Sequence, residues 1–177
     1  IVIKGVKIAP SPAWLANRLK AVGVNSINNV VDITNYVLQS LGQPLHAFDL
    51  RQVGGEIHVK TCPEGTPFVT LDGEQRKLSQ EDLMICSATA PMCIAGVYGG
   101  LESGIKDDTT DVFIESAYFD PVTIRRTAKR HGLQTDASFR YERGIDPNIT
   151  LDALCLAARL MCTLAGGHIA SGITDIC

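Results

Sequence analysis

No apolar run in this sequence approaches the roughly 18 residues that a membrane span needs, and the longest candidates carry Arg or Asp. A charged-then-apolar secretion signal is also missing at the start. The six cysteines (62, 86, 93, 155, 162 and 177) include no C-x-x-C pair, and no His stands at finger spacing from any of them, so a structural zinc site is not expected. Cys155 and Cys162 fall in an apolar helical pattern where buried free thiols are the ordinary reading, which points to a reduced, cytoplasmic setting. There is no internal repeat and no low-complexity linker. Nor is there an excess of positive charge. The net charge is −3, so any nucleic-acid contact has to rest on a local patch.

What is present suits a globular fold. The 177 residues are 45% hydrophobic and 20% charged, enough for one ample domain or two small ones with a real core. Residues 1–8 read as a strand, and a helix follows from a Ser11 cap and Pro12 to Gly23. A second helix runs from about Val31 to Leu41 and stops at Gly42 and Pro44. Strands dominate from Glu56 to Val97, with Ile57 and Val59 alternating against polar neighbours. Asp72-Gly73 signals a two-residue hairpin between Phe68–Leu71 and Glu74–Leu78. Leu83–Cys86, Met92–Val97 and Val112–Glu115 read as further strands. Asp120-Pro121 opens a helix that Gly132 closes after His131. The last helix starts near Thr150, with Leu151, Leu154, Cys155, Ala158, Met161 and Cys162 on its buried side. Ile169–Ile176 reads as a closing strand. Helices at both ends of a strand-rich middle predict an α+β fold. A chain that opens and closes inside strands also reads as a piece of a longer protein.

Four stretches carry chemistry. In the first, Asp32-Ile33-Thr34-Asn35-Tyr36 precedes a Pro-containing helix exit that could fix the His46 imidazole at a cavity wall; a lone His is more often structural, and Asn35 could simply be exposed. The second, Ala95-Gly96-Val97-Tyr98-Gly99-Gly100, allows close backbone approach to a ligand, with a tight strand exit as the alternative. In the third, Glu115 shares a strand face with Phe113 and Ala117, opposite Ile114 and Ser116, which suggests a pocket carboxylate rather than a solvent-facing one. The fourth, residues 125–143, holds six Lys/Arg against two acids, a local charge of +4. Such segregation fits a nucleic-acid contact, against the alternative of a solvated helix face. Arg126, Lys129 and Arg130 can share one helix face, which leaves Arg125 to pair with a nearby acid.

The segments NNVVDITNYVLQSLGQPLHAFDL, AGVYGG, FIESAYFDP and RRTAKRHGLQTDASFRYERGIDP together resemble the B3/B4 region of phenylalanine–tRNA ligase beta subunits. The match is ordered along residues 11–177, and the first ten fit the lead-in to that region. The resemblance implies a three-layer α+β sandwich, with mixed strands in the middle and helices at both ends, over the whole of 1–177. It implies an editing domain that hydrolyses tyrosine wrongly esterified to the phenylalanine tRNA. The alternative is a tRNA-binding or scaffolding module without hydrolysis of its own.

By that resemblance Glu115 accepts from the tyrosine hydroxyl and the Gly99 N–H, beside Gly100, donates to the same oxygen. His46, Asn35 and Thr34 surround the ester and the tRNA terminus, as the catalytic group. Thr135 and Ala137 form the pocket wall, and Arg126, Lys129 and Arg130 are expected to meet the tRNA. Asn25 departs from the pattern, since many relatives carry Arg there. The implied partners are the tRNA acceptor end bearing tyrosine and the synthetase alpha subunit. No cofactor or metal is expected in this region; ATP and Mg²⁺ are expected only for the whole synthetase.

Overall fold

Local start and stop signals account for some of the helices along residues 1–176, which the computed structural model describes. The elements are β1 (Val2–Lys4), α1 (Ala13–Ala21), α2 (Asn29–Leu41), β2 (Leu45–Asp49), α3 (Leu50–Val53), β3 (His58–Thr61), β4 (Pro67–Val69), β5 (Gln75–Lys77), β6 (Leu83–Cys86), β7 (Pro91–Ile94), β8 (Tyr98–Gly99), β9 (Asp111–Ser116), α4 (Pro121–His131), α5 (Asp136–Tyr141), α6 (Ile149–Leu164) and β10 (His168–Ile169). The chain is α+β. The described strand pairings are all antiparallel rather than mixed. The residues divide into two compact units, one of 1–50, 105–117 and 146–177 and the other of 51–104 and 118–145.

In the first unit the sheet order is β10-β1-β9-β2. Strand alternation gives it an apolar face: Ile1, Ile3, Ala47, Val112 and Ile114 pack with Leu15 and Leu19 of α1, Val30, Ile33 and Val37 of α2, and Ala153, Ala157 and Met161 of α6. The helical residues recur every three or four positions, so each helix turns one stripe to the sheet. Each fully buried Ile, Leu or Val contributes about 1.5–3 kcal/mol. Asn28 starts α2 by accepting from the Val30 and Val31 N–H groups at 3.1 and 2.9 Å, and Gly42, at φ 75°, ends it. Buried Asp32 accepts from Ser11 Oγ at 2.6 Å, from Ile27 N at 2.8 Å and from Ser26 Oγ. Ser11 is therefore not the α1 cap. Pro12 occupies that position with no side-chain bond, because the Ser11 hydroxyl is drawn to the carboxylate.

The second unit holds the sheet β3-β6-β7-β8 and the β4–β5 hairpin. Its turn is longer than Asp72-Gly73 alone suggests: Thr70 N bonds Glu74 O, Gly73 N bonds Thr70 O, and Gly73 takes φ 80°. Asp120 caps α4 through Thr123 N at 2.8 Å, Pro121 occupies the first turn, and Gly132 closes it at φ 64°.

Several expected elements shift. The first strand stops at Lys4 because Gly5 turns left-handed, at φ 72°. Val59 is exposed on β3, whose four residues all face solvent. On α6 the buried stripe runs through Ala153, Leu154, Ala157, Ala158 and Met161, leaving Leu151 and Cys155 exposed. The closing strand shrinks to His168–Ile169, paired with Lys4 and Ile3; Ile176 is 88% exposed. Cys177 lies outside the described residues.

Candidate functional site

The first unit's sheet has a second face, made by the alternate residues of β2 and β9. Their register sets His46 directly opposite Glu115 and Phe48 directly opposite Phe113. Since successive residues point to opposite faces, the four share the side away from Ala47, Val112 and Ile114. Phe48 stands edge-on to the His46 ring, centroids 4.3 Å apart at 68°, and lies 6.0 Å from Phe113. An imidazole and a carboxyl thus stand side by side against an aromatic floor. β2 itself is not evident in the sequence, where Pro44 reads as a helix exit. Leu-His-Ala-Phe-Asp does not alternate strictly, since Ala47 and Phe48 are both apolar, and it is pairing with β9 that makes it a strand.

Both polar groups are buried without compensation. Among the described residues the buried side-chain atoms with no hydrogen-bond partner are Gln43 Oε1, His46 Nε2 and Glu115 Oε1. Leaving such an atom unpaired costs about 1–3 kcal/mol, a cost that a ligand supplying the partner removes. Burial pushes the Glu115 carboxyl up to about 7 and the His46 imidazole down to about 4. Near neutral pH, then, His46 is uncharged while Glu115 is shared between acid and carboxylate. The acid form donates a hydrogen bond and the carboxylate accepts one, so the pair can meet a hydroxyl in either sense.

The neighbouring residues on α2 differ in availability. The buried Thr34 hydroxyl donates to Val31 O at 2.7 Å, which commits its proton to the helix backbone. Asn35 is half-buried one position further along α2.

In the second unit, two of the groups expected at a site, the Gly100 N–H and the Thr135 hydroxyl, are spent on the fold. Gly99 stands opposite Cys93 in the β7–β8 register, a pairing that by itself engages no N–H, and its carbonyl accepts from Leu71 N at 3.0 Å. Gly100 N donates to Met92 O at 2.9 Å, and a Cβ on Gly100 would lie 2.6 Å from that oxygen and 2.8 Å from Phe68 Cζ. Its lack of a side chain is explained by packing, and its N–H is not free. Thr135 caps α5, accepting from Ser138 N at 3.0 Å and donating to Val97 O at 2.9 Å. Ala137 follows in the first turn, half-buried.

The basic segment also divides. Arg125, Arg126, Lys129 and Arg130 are all exposed on α4. Arg130 nevertheless pairs with Glu81 Oε2 at 2.5 Å and with buried Asp82, while Arg125 has no acid partner among the described residues. This inverts the expected assignment. Helix spacing reports which side chains share a face, but not that the loop before β6 brings two acids to Arg130. Asp82, His131 and Thr127, which join that network, were not evident as partners in the sequence.

Comparison with known proteins bears on this geometry. A family model for the B3/4 domain matches residues 1–166. The phenylalanine–tRNA ligase beta subunit of Bacteroides fragilis is 61% identical over 178 aligned positions, covering 100% of this chain and 22% of that protein. The Porphyromonas gingivalis subunit is 58% identical, covering 99% of this chain and 22% of that protein. An N-terminal fragment of the phenylalanyl-tRNA synthetase beta-subunit from Pyrococcus horikoshii matches with a TM-score of 0.50 and 11% identity, over 94% of this chain and 44% of that one. That last match is a likeness of fold. The chain spans about a fifth of the length of the curated relatives it matches.

Proposed function

The chain belongs to the B3/4 domain family of phenylalanine–tRNA ligase beta subunits, and on that premise we propose that it is an editing domain hydrolysing tyrosine esterified to the phenylalanine tRNA. The observation that carries the reading is the pair of unpartnered buried atoms, His46 Nε2 and Glu115 Oε1, on opposed residues of β2 and β9. A hydrophobic pocket built for phenylalanine rejects an added hydroxyl by only about 10²-fold, whereas a polar site left unpaired by phenylalanine selects for that hydroxyl.

In this reading the tyrosine hydroxyl satisfies Glu115, and the aromatic floor of Phe48 and Phe113 supplies apolar contact. An aminoacyl ester is already activated, so orienting a water at its carbonyl removes much of the barrier. Uncharged His46 can accept a proton from that water through Nε2 in the tautomer protonated at Nδ1 and return it to the departing ribose oxygen as the ester bond breaks, releasing tyrosine and the free tRNA end. Asn35 offers an amide from α2. Exposed Arg126 and Lys129 are the proposed phosphate contacts; Arg130 serves the fold. Among the described residues no helix is long and apolar enough to cross a membrane. The proposed setting is the cytoplasm, with the alpha subunit as partner through the longer chain.

The test is deacylation of Tyr-tRNA by the assembled synthetase carrying Glu115→Ala. Loss of a hydrogen bond worth about 1–3 kcal/mol predicts a roughly 5- to 150-fold fall in kcat/KM. Activity within twofold of wild type removes Glu115 from the site. A wild-type synthetase that binds Tyr-tRNA through this region and leaves the ester intact favours the tRNA-binding module instead.

A further inference from the structure

The third unpartnered atom lies at the same end of the β2–β9 pair. Gln43 is fully buried, two residues before β2, and its Nε2 donates to Pro44 O at 3.0 Å and to Ala117 O at 2.8 Å. Ala117 is the residue after β9, and the first β2–β9 pair is Leu45 with Ser116, followed by His46 with Glu115. The amide thereby ties the chain ahead of β2 to the residue after β9, just beyond the Leu45–Ser116 pair that adjoins His46 and Glu115. Two carbonyl acceptors fix which end of the amide is nitrogen, so Oε1 is held as an acceptor with nothing to accept from.

We propose that Gln43 is a substrate-binding residue whose Oε1 accepts from the α-ammonium group of the aminoacyl ester. The assignment rests on the editing reading and extends it from the side chain of the substrate to its amino group. Tyrosine brings two donors into such a site, the phenol and the ammonium. The phenol is taken by Glu115, whose acid form can also donate, whereas a fixed amide oxygen can only accept. A hydrogen bond from a charged donor to a buried acceptor is the stronger kind. The ammonium also distinguishes an aminoacyl ester from other esters of the same hydroxyaryl shape.

The experiment compares two esters of the same tRNA in the assembled synthetase: tyrosine, and 3-(4-hydroxyphenyl)propanoate, which lacks only the amino group. Each rate is divided by the uncatalysed rate of that ester, because the ammonium itself activates the carbonyl. Wild type is expected to favour the tyrosyl ester roughly 10- to 100-fold in kcat/KM, and Gln43→Met to reduce that preference to nearly onefold. A variant that keeps the wild-type preference, or a wild type with none, overturns the proposal.

If neither ester is hydrolysed the editing reading fails, and the Gln43 assignment is judged by binding. Non-hydrolysable 3′-amide analogues of adenosine carrying the two acyl groups should then bind wild type with the same preference, and equal affinity overturns it. If Gln43→Met does not fold, the ¹⁵N side-chain amide resonances of wild-type Gln43 decide. They should shift with the amino-bearing analogue and not with its des-amino counterpart, and identical responses to both overturn the assignment.

Discussion

Two buried carboxyl groups, one in each unit, behave in opposite ways. Asp82 accepts from Ser79 N at 2.8 Å, Thr127 Oγ1 at 3.1 Å, His131 Nε2 at 2.6 Å and the Arg130 guanidinium. Burial alone would raise its pKa, but the Ser79 N–H, His131 and Thr127 outweigh that and hold it below the ordinary carboxylate range. Glu115 is half-buried as a residue but carries a buried Oε1 without a partner, and burial pushes its carboxyl up to about 7. Burial therefore does not separate a structural carboxyl from one available to a ligand; the number of internal partners does. Asp82 holds the loop before β6 to α4, whereas Glu115 contributes nothing of that kind to the fold.

Removing each group and measuring stability separates the two roles. Asp82→Ala strands a partly exposed guanidinium and a buried imidazole. Breaking such a pair from one side costs several kcal/mol, here on the order of 3 kcal/mol because Arg130 can turn to water. Urea unfolding of the chain should show the midpoint falling accordingly. A loss below about 1 kcal/mol would mean that the network is replaceable and that the contrast with Glu115 is unfounded.

Glu115→Gln should do the reverse, in a pH-dependent way. Between about pH 4.5 and 7 the native state binds the Glu115 proton more tightly than the unfolded chain, so this group lowers stability as pH rises, by at most about 1.4 kcal/mol per pH unit. His46, whose pKa is lowered from 6.5 to about 4, acts in the opposite sense: between those values the unfolded chain takes up the proton, so stability rises with pH. The two slopes nearly cancel from pH 4.5 to 6.5 in the wild type. Removing the carboxyl uncovers the His46 slope, so the variant should gain stability relative to wild type as pH rises and be the more stable protein at pH 8. Unfolding curves at pH 5 and pH 8 check this. Parallel pH profiles for the two proteins would place Glu115 in an ordinary solvated setting.

How much of this was legible in the sequence depended on whether the deciding interaction was local. α4 was, because the Asp120 cap, Pro121 and Gly132 lie within the helix or beside it. The Glu115 face was as well, since alternation in Val112–Ser116 separates it from Ile114 without knowledge of any partner strand. β2 was not, because it forms by pairing with β9, more than sixty residues along the chain. α5 has six residues, too few to be stable alone. Its last residue, Tyr141, packs edge-on against Phe119 with centroids 5.1 Å apart. On α6 the apolar residues outnumber those that the core can take, so periodicity gave the helix but turned the stripe toward Leu151 and Cys155. Arg130 shows the same limit for the site: helix spacing identifies it as a candidate, but Asp82 and Glu81 claim it.

Thr135 gives the smallest test of the comparison, because its hydroxyl, like Asp82, is spent inside the fold. The oxygen accepts from Ser138 N, and the hydroxyl donates to Val97 O. Thr135→Val keeps the shape and the methyl group while deleting both interactions. Loss of a helix cap costs about 1 kcal/mol, and the Val97 carbonyl loses a donor as well. Urea unfolding should therefore show a loss of roughly 1–2 kcal/mol, and Thr135→Ser should retain most of the stability. If the proposed editing activity holds and Thr135 is a wall residue acting through shape, deacylation of Tyr-tRNA by the assembled synthetase should keep its preference for tyrosine in Thr135→Val. A stable Thr135→Val variant whose preference collapses would make the hydroxyl a substrate contact, and Thr135 would then belong with Glu115 rather than with Asp82.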